Sequence, residues 1–238
     1  ILLLSVRLLD NRYHGLAANG DKPEWPPSPF RLFQAIIAGS ARGDLIPQDV
    51  RDALRWLESL DPPEIITPSA QQGNVLRNFV LNNSKKRSRT EKFVRPTLLG
   101  DDRIIDFGWT YDSTETTSAR HTEILIEAVR HICAFGWGID LAIGHGRTIE
   151  SVPRRGLSRL RFVPNQNEDE GGIDLRTPRS GSLESLQECF RQYLGRFESN
   201  EVTVLESGGP LYQLRSYTID RVRPVAVFKL LDPNEDPA

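Results

Sequence analysis

The sequence predicts a mixed α+β chain in which strand, helices, strand, strand, helix and strand follow one another through the first two thirds. Three observations carry this. Residues 1–9, ILLLSVRLL, are apolar and β-compatible, residues 29–60 hold two amphipathic helical patterns, and short β-like runs flank a third helical pattern near residue 120. The chain has 238 residues, 38% hydrophobic and 26% charged, enough to bury a core without disulfides and too apolar for wholesale disorder.

Only Arg7 interrupts the opening strand, which therefore reads as buried on both faces or nearly so. The prolines of PEWPPSPF forbid helix until Ser28-Pro29, where a serine N-cap precedes proline at the first helical position. A helix over 29–41 is expected, with Phe30, Phe33, Ile37 and Ala38 on its apolar side. A second, over 48–60, places Val50, Ala53, Leu54, Leu57 and Leu60 on one stripe before Asp61-Pro62-Pro63 stops it. Strands are expected at 64–67, 76–81 and 103–111. Between the last two, the polar and basic run from Asn82 to Asp102 reads as an exposed hairpin or mobile loop. Ser118 or a neighbouring threonine opens a helix to about residue 134, and a strand over 139–143 closes the unit. This order is the split βαβ pattern of a ferredoxin-like, RRM-like βαββαβ fold, so residues 1–163 read as one such domain. Residues 164–182 read as an acidic, then Gly- and Ser-rich linker. Residues 183–238 read as a smaller α/β layer, with a helix at 183–197 and strands near 202–205, 211–218 and 222–230.

Formal net charge is −2, which argues against a protein coated in phosphate-binding charge. The average hides a segregation. Of 30 basic residues, 25 are arginine, and they concentrate in two islands, Arg77 to Arg103 and Arg147 to Arg161. Arginine suits bidentate phosphate contact, although a GC-rich genome gives the same bias. No apolar run is long enough for a membrane span or a signal-peptide core, so a cytoplasmic protein without membrane contact is expected. The two cysteines, Cys133 and Cys189, have no ligand-spaced neighbour and read as small buried hydrophobes. There is no methionine, so the sequence is expected to lack its first residue.

Dinucleotide and P-loop fingerprints are missing: Gly136-x-Gly138 and Gly144-x-Gly146 lack a third glycine, and no GK[ST] follows. No metal cluster and no cofactor are expected. In GIDLAIGHGRT, glycines flanking His145 at the strand end would let a ligand approach the backbone, with Arg147 beside it to hold phosphate; the plain alternative is a tight turn. Arg12, Tyr13 and His14 follow the first strand. They offer stacking and phosphate contact to single-stranded RNA, or general acid and base groups for metal-independent cleavage, or no more than a cap on the strand end.

The segments LLLSVRLLDNRYHG, PEWPPSPFRLFQAIIAG, WLESLDPP, KFVRPTLL, IIDFGW and RPVAVFKL together resemble the type I-U (I-G) CRISPR-associated family, in which a Cas-five-like half is fused to a Cas-six-like half. PEWPPSPFRLFQA is the most specific of them. Only the Cas-five-like half is matched, because the sequence stops just after RPVAVFKLLDP, where the processing half would begin. The resemblance implies a repeat-associated (RAMP) core in a surveillance complex (Cascade) acting in antiviral defence. There the subunit would cap the 5′ handle of the crRNA, with the backbone subunit and large subunit as neighbours and target DNA near the protospacer-adjacent motif as a further contact. The basic loop at about 82–102 would be its thumb. On this reading RNA contacts fall to Arg12, Tyr13, His14, Arg31, Lys85, Lys86, Arg87, Arg89, Lys92, Arg95, His145, Arg147, Arg154 and Arg155. No catalytic residue is expected. The alternatives are an endoribonuclease using Tyr13 and His14 on precursor crRNA, and a protein-only adaptor whose arginines make inter-subunit ion pairs.

Overall fold

The computed structural model describes residues 1–17, 22–41, 45–81, 89–152, 159–165, 171–198 and 211–220. Its centre is a seven-stranded antiparallel sheet. In chain order the described strands are β1 (Leu2–Leu8), β2 (Arg12–Tyr13), β3 (Glu64–Pro68), β4 (Ala70–Gln72), β5 (Leu76–Leu81), β6 (Arg89–Val94), β7 (Thr97–Leu99), β8 (Ile104–Trp109), β9 (Ala142–Thr148), β10 (Arg159–Pro164), β11 (Ile173–Thr177) and β12 (Gln213–Asp220). The helices are α1 (Pro29–Ser40), α2 (Gln48–Ser59), α3 (Thr116–Ala128), which tightens into a 3-10 turn at Val129–His131, and α4 (Ser182–Glu198).

The large sheet runs β11-β12-β10-β3-β8-β1-β9. Its last four strands, β3-β8-β1-β9, place β8 between β3 and β1 and carry α1 and α2 in the first connection and α3 in the second, which is the ferredoxin-like arrangement expected from the sequence. Leu2, Leu4, Val6 and Leu8 of β1 point to one face and are buried, as are Ile105 and Phe107 of β8. Phe30, Phe33 and Ile36 of α1, Ala53, Leu54 and Leu57 of α2, and Leu125 and Ala128 of α3 join them in one core. Each large side chain buried there contributes about 1.5–3 kcal/mol. Three satellite strands, β2-β7-β4, form a small second sheet, and β5 and β6 make a two-stranded arm.

Several expectations need correcting. Pro29 does begin α1, but Ser28 makes no side-chain cap hydrogen bond, and Ala38 is exposed while Ile36 and Leu32 take the core positions. The closing strand lies at Ala142–Thr148 rather than 139–143, because α3 stops at Ala128 and residues between spend themselves on a turn around Asp140. Within the stretch that reads as a linker, Ile173–Thr177 forms a strand paired to β12, so the large sheet continues into it. Cys133 is exposed and Cys189 half-buried. Strands expected near 202–205 and 222–230 lie outside the described residues.

Candidate nucleic-acid interface

β9 is an edge strand of the large sheet, and from Ala142 to Arg147 it alternates between buried and exposed. Gly144 and Gly146 face the helices. A Cβ on Gly144 would run into the Val129 carbonyl, and one on Gly146 would come within 2.8 Å of the Ile126 Cα. The glycines therefore let α3 lie close on the strand. The tight-turn reading is corrected: GHGR is regular strand, and the space beside its glycines is taken by α3 and the turn after it. Its exposed residues are the informative ones. Ile143, His145 and Arg147 point to the face away from the helices and pair in register with Arg7, Ser5 and Leu3 of β1.

Many described arginines are held by a carboxylate; the two on this face are not, a state they share with Arg89, Arg120, Arg179 and Arg215. Arg31, Arg55, Arg77, Arg130, Arg159, Arg161, Arg176 and Arg191 are all in ion pairs, and Arg12 pairs with Asp10 at 2.8 Å. Among the described residues the exposed Arg7 and Arg147 have no side-chain partner, and they share the face with His145 and the apolar, 55% exposed Ile143. Next to them on the same face, Ser5 donates to Asp106 at 2.5 Å and Arg159 reaches Asp106 at 2.8 Å. Those charges cancel internally. Unpaired guanidinium groups beside an exposed apolar side chain suit phosphate and base respectively.

The arm formed by β5 and β6 is a second basic surface, and it confirms the hairpin expected from the sequence. Arg89, Lys92 and Arg95 are exposed along β6 and its exit, Arg95 reaching Gln72 at 3.3 Å. Phe79 and Phe93 are 58% and 68% exposed on one side of the arm, which also carries Arg77, ion-paired to Glu91 and lying 5.1 Å over the Phe79 ring. Lys85, Lys86 and Arg87, between β5 and β6 in sequence, and Arg154 and Arg155, after β9 in sequence, lie outside the described residues.

Tyr13, His14 and Arg31 are placed differently from the expectation. Tyr13 is fully buried, edge-on to Trp25 and beside Phe135, with its hydroxyl donating to Glu24 at 3.2 Å. Burial pushes the phenol well above its ordinary range, and the neighbouring Glu24 carboxylate adds to this. His14 is buried too. Its backbone N–H donates to Asp140 at 3.1 Å, its Nδ1 lies 2.6 Å from the second carboxylate oxygen, and its ring stacks with Trp137. Arg31 and Arg176 close on Glu24, each at 2.6 Å, and both also donate to the Leu16 carbonyl. Burial alone would raise the Glu24 carboxyl, but the two guanidinium groups outweigh it and hold the pKa below the usual carboxylate value. Tyr13 and Arg31 are thus committed to a closed internal network, with no ring face or fork left for RNA in this conformation. Arg12 alone of its trio is exposed.

Arg7, Phe79 and Phe93 were not singled out by sequence reasoning. The signal for Arg7 was present as the one charge in an apolar strand. No cluster of metal-ligating side chains occurs among the described residues, and no helix there is long and apolar enough to cross a membrane.

A family model described as CRISPR-associated protein, GSU0054 family, matches residues 14–235. No curated protein matches the chain. The family match spans nearly all of a chain whose core is ferredoxin-like: this protein belongs to the CRISPR-associated GSU0054 family and takes part in CRISPR defence.

Proposed function

We propose that this chain is a crRNA-binding subunit of a CRISPR surveillance complex, gripping the 5′ handle of the guide without cutting it. The observation that carries this reading is the sheet face where Arg7, His145 and Arg147 stand exposed while nine other described arginines are ion-paired. What distinguishes these two guanidinium groups is that they stand on the neighbouring strands β1 and β9 with His145 on the same face. The arm adds Arg89 and Lys92 for phosphates and Phe79 and Phe93 for unstacked bases, the combination that single-stranded RNA requires. As the thumb, it would reach toward the backbone subunit, and Lys85, Lys86, Arg87, Arg154 and Arg155 would extend the two basic surfaces. A near-neutral net charge suits a subunit whose remaining faces dock protein neighbours. The endoribonuclease alternative gains nothing from Tyr13, whose hydroxyl is sealed beneath Trp25 and Glu24.

Salt titration tests the reading. Each single-strand phosphate neutralised contributes about −0.7 to the slope of log K against log salt, so handle RNA should bind with a slope steeper than about −1.4. A slope near zero would favour the protein-only adaptor.

A further inference from the structure

On the side of the molecule opposite the basic sheet face, two cavities of about 500 and 480 Å³ lie end to end between α2 and α3 and share Asp49 and Ile124. We propose that this groove docks a basic, amphipathic segment of a partner protein. The floor is apolar, made by Val50, Ile124 and Ala128, and the rim is acidic, made by Asp49, Glu123 and Glu127. Among the described residues Asp49 and Glu123 have no ion pair, while Glu127 meets only the exposed Arg130. Arg120, His121 and His131 also line the groove, so its lining sets four carboxylates, Asp49, Asp52, Glu123 and Glu127, against one arginine and two histidines.

A second feature points to an occupant. Ser40, the last residue of α1, lines the same cavity at 5% exposure, and its hydroxyl has no hydrogen-bond partner. A buried hydroxyl left unpaired costs about 1–3 kcal/mol, and an incoming donor or carbonyl would relieve that. Phosphate is repelled by these carboxylates, so the partner is a polypeptide rather than RNA. Its cations face Asp49, Glu123 and Glu127, and its apolar side chains cover Ile124 and Ala128.

The probe is a synthetic helical peptide with leucine on one face and arginine on the other, titrated calorimetrically into the full chain beside a control peptide carrying glutamate for arginine. Only the basic peptide should bind. Its affinity should fall at least about tenfold in Glu123→Lys/Glu127→Lys, both positions being exposed helix surface. Glu188→Lys on α4 should leave it unchanged. Handle RNA should bind the groove variants as it binds the wild type, a readout that stands or falls separately from the proposed RNA-binding role. Equal peptide affinity in wild type and Glu123→Lys/Glu127→Lys would overturn the proposal. So would competition between RNA and peptide that the groove variants abolish, or self-association of the chain that they abolish, since the occupant would then be nucleic acid or a second copy.

Discussion

Glu24 shows how one carboxylate ties distant parts of the chain together. It accepts from Tyr13, from Arg31 on α1 and from Arg176 on β11, so a single side chain links the loop after β2, the first helix and the far edge of the sheet. Glu24→Gln would leave two buried guanidinium groups without their counter-charge and should lower stability by about 3–5 kcal/mol, read by urea unfolding. The sign of the pH dependence follows from the same contacts. A carboxyl held below its unfolded pKa contributes stability that is present above that unfolded value and lost as pH falls through the folded one. Wild type should therefore lose more stability than Glu24→Gln on going from about pH 5 to pH 3. Glu58 acts in the opposite sense. Burial raises its carboxyl although the Gly181 and Leu183 N–H groups donate to it, so its contribution is largest below the unfolded pKa and declines as pH rises through the folded one.

β9 and the arm separate what the sequence displays from what it hides. The Pro29 start, the α2 stripe and the Leu2–Leu8 strand were legible because their periodicity is local and their boundaries carry proline or charge. The GHGR segment was not. Glycines between polar residues read as a turn, and only the approach of Val129 and Ile126 explains why a buried strand position needs them. Gly144→Ala should accordingly destabilise the fold by about 1–3 kcal/mol through overpacking against the helix backbone, leaving RNA affinity per folded molecule unchanged. Tyr13 and His14 failed as surface candidates for a related reason: their partners Glu24 and Asp140 come from loops whose return over the first strand has no sequence signature. The arm was legible as a basic hairpin, but its aromatic side was not. Phe79→Ala with Phe93→Ala should weaken RNA binding by about 1–3 kcal/mol per stacked base while barely moving the melting temperature, since both rings are exposed.

Across the described residues, charge is unevenly placed. Arg7 and Arg147 stand unpaired on the sheet face and Arg89 and Lys92 on the arm, Asp49 and Glu123 stand unpaired on the helix side beside the unpaired Arg120, and Arg159, Arg161 and Arg176 serve internal cohesion. On the proposed reading the basic sheet face holds a polyanion and the helix side a polypeptide, so the placement of charge rather than the near-zero net charge bears on function. Equilibrium binding of handle RNA at fixed salt to two triple variants tests this most directly. Replacing Arg7, His145 and Arg147 with alanine should cost at least about 2 kcal/mol, roughly thirtyfold in affinity. Replacing Arg51, Arg55 and Arg191, which bond to Gln48, Glu184 and Glu188 on the helices, should leave affinity within about twofold of wild type. Equal losses in the two variants would show that the sheet face is no binding site and contradict the proposed role.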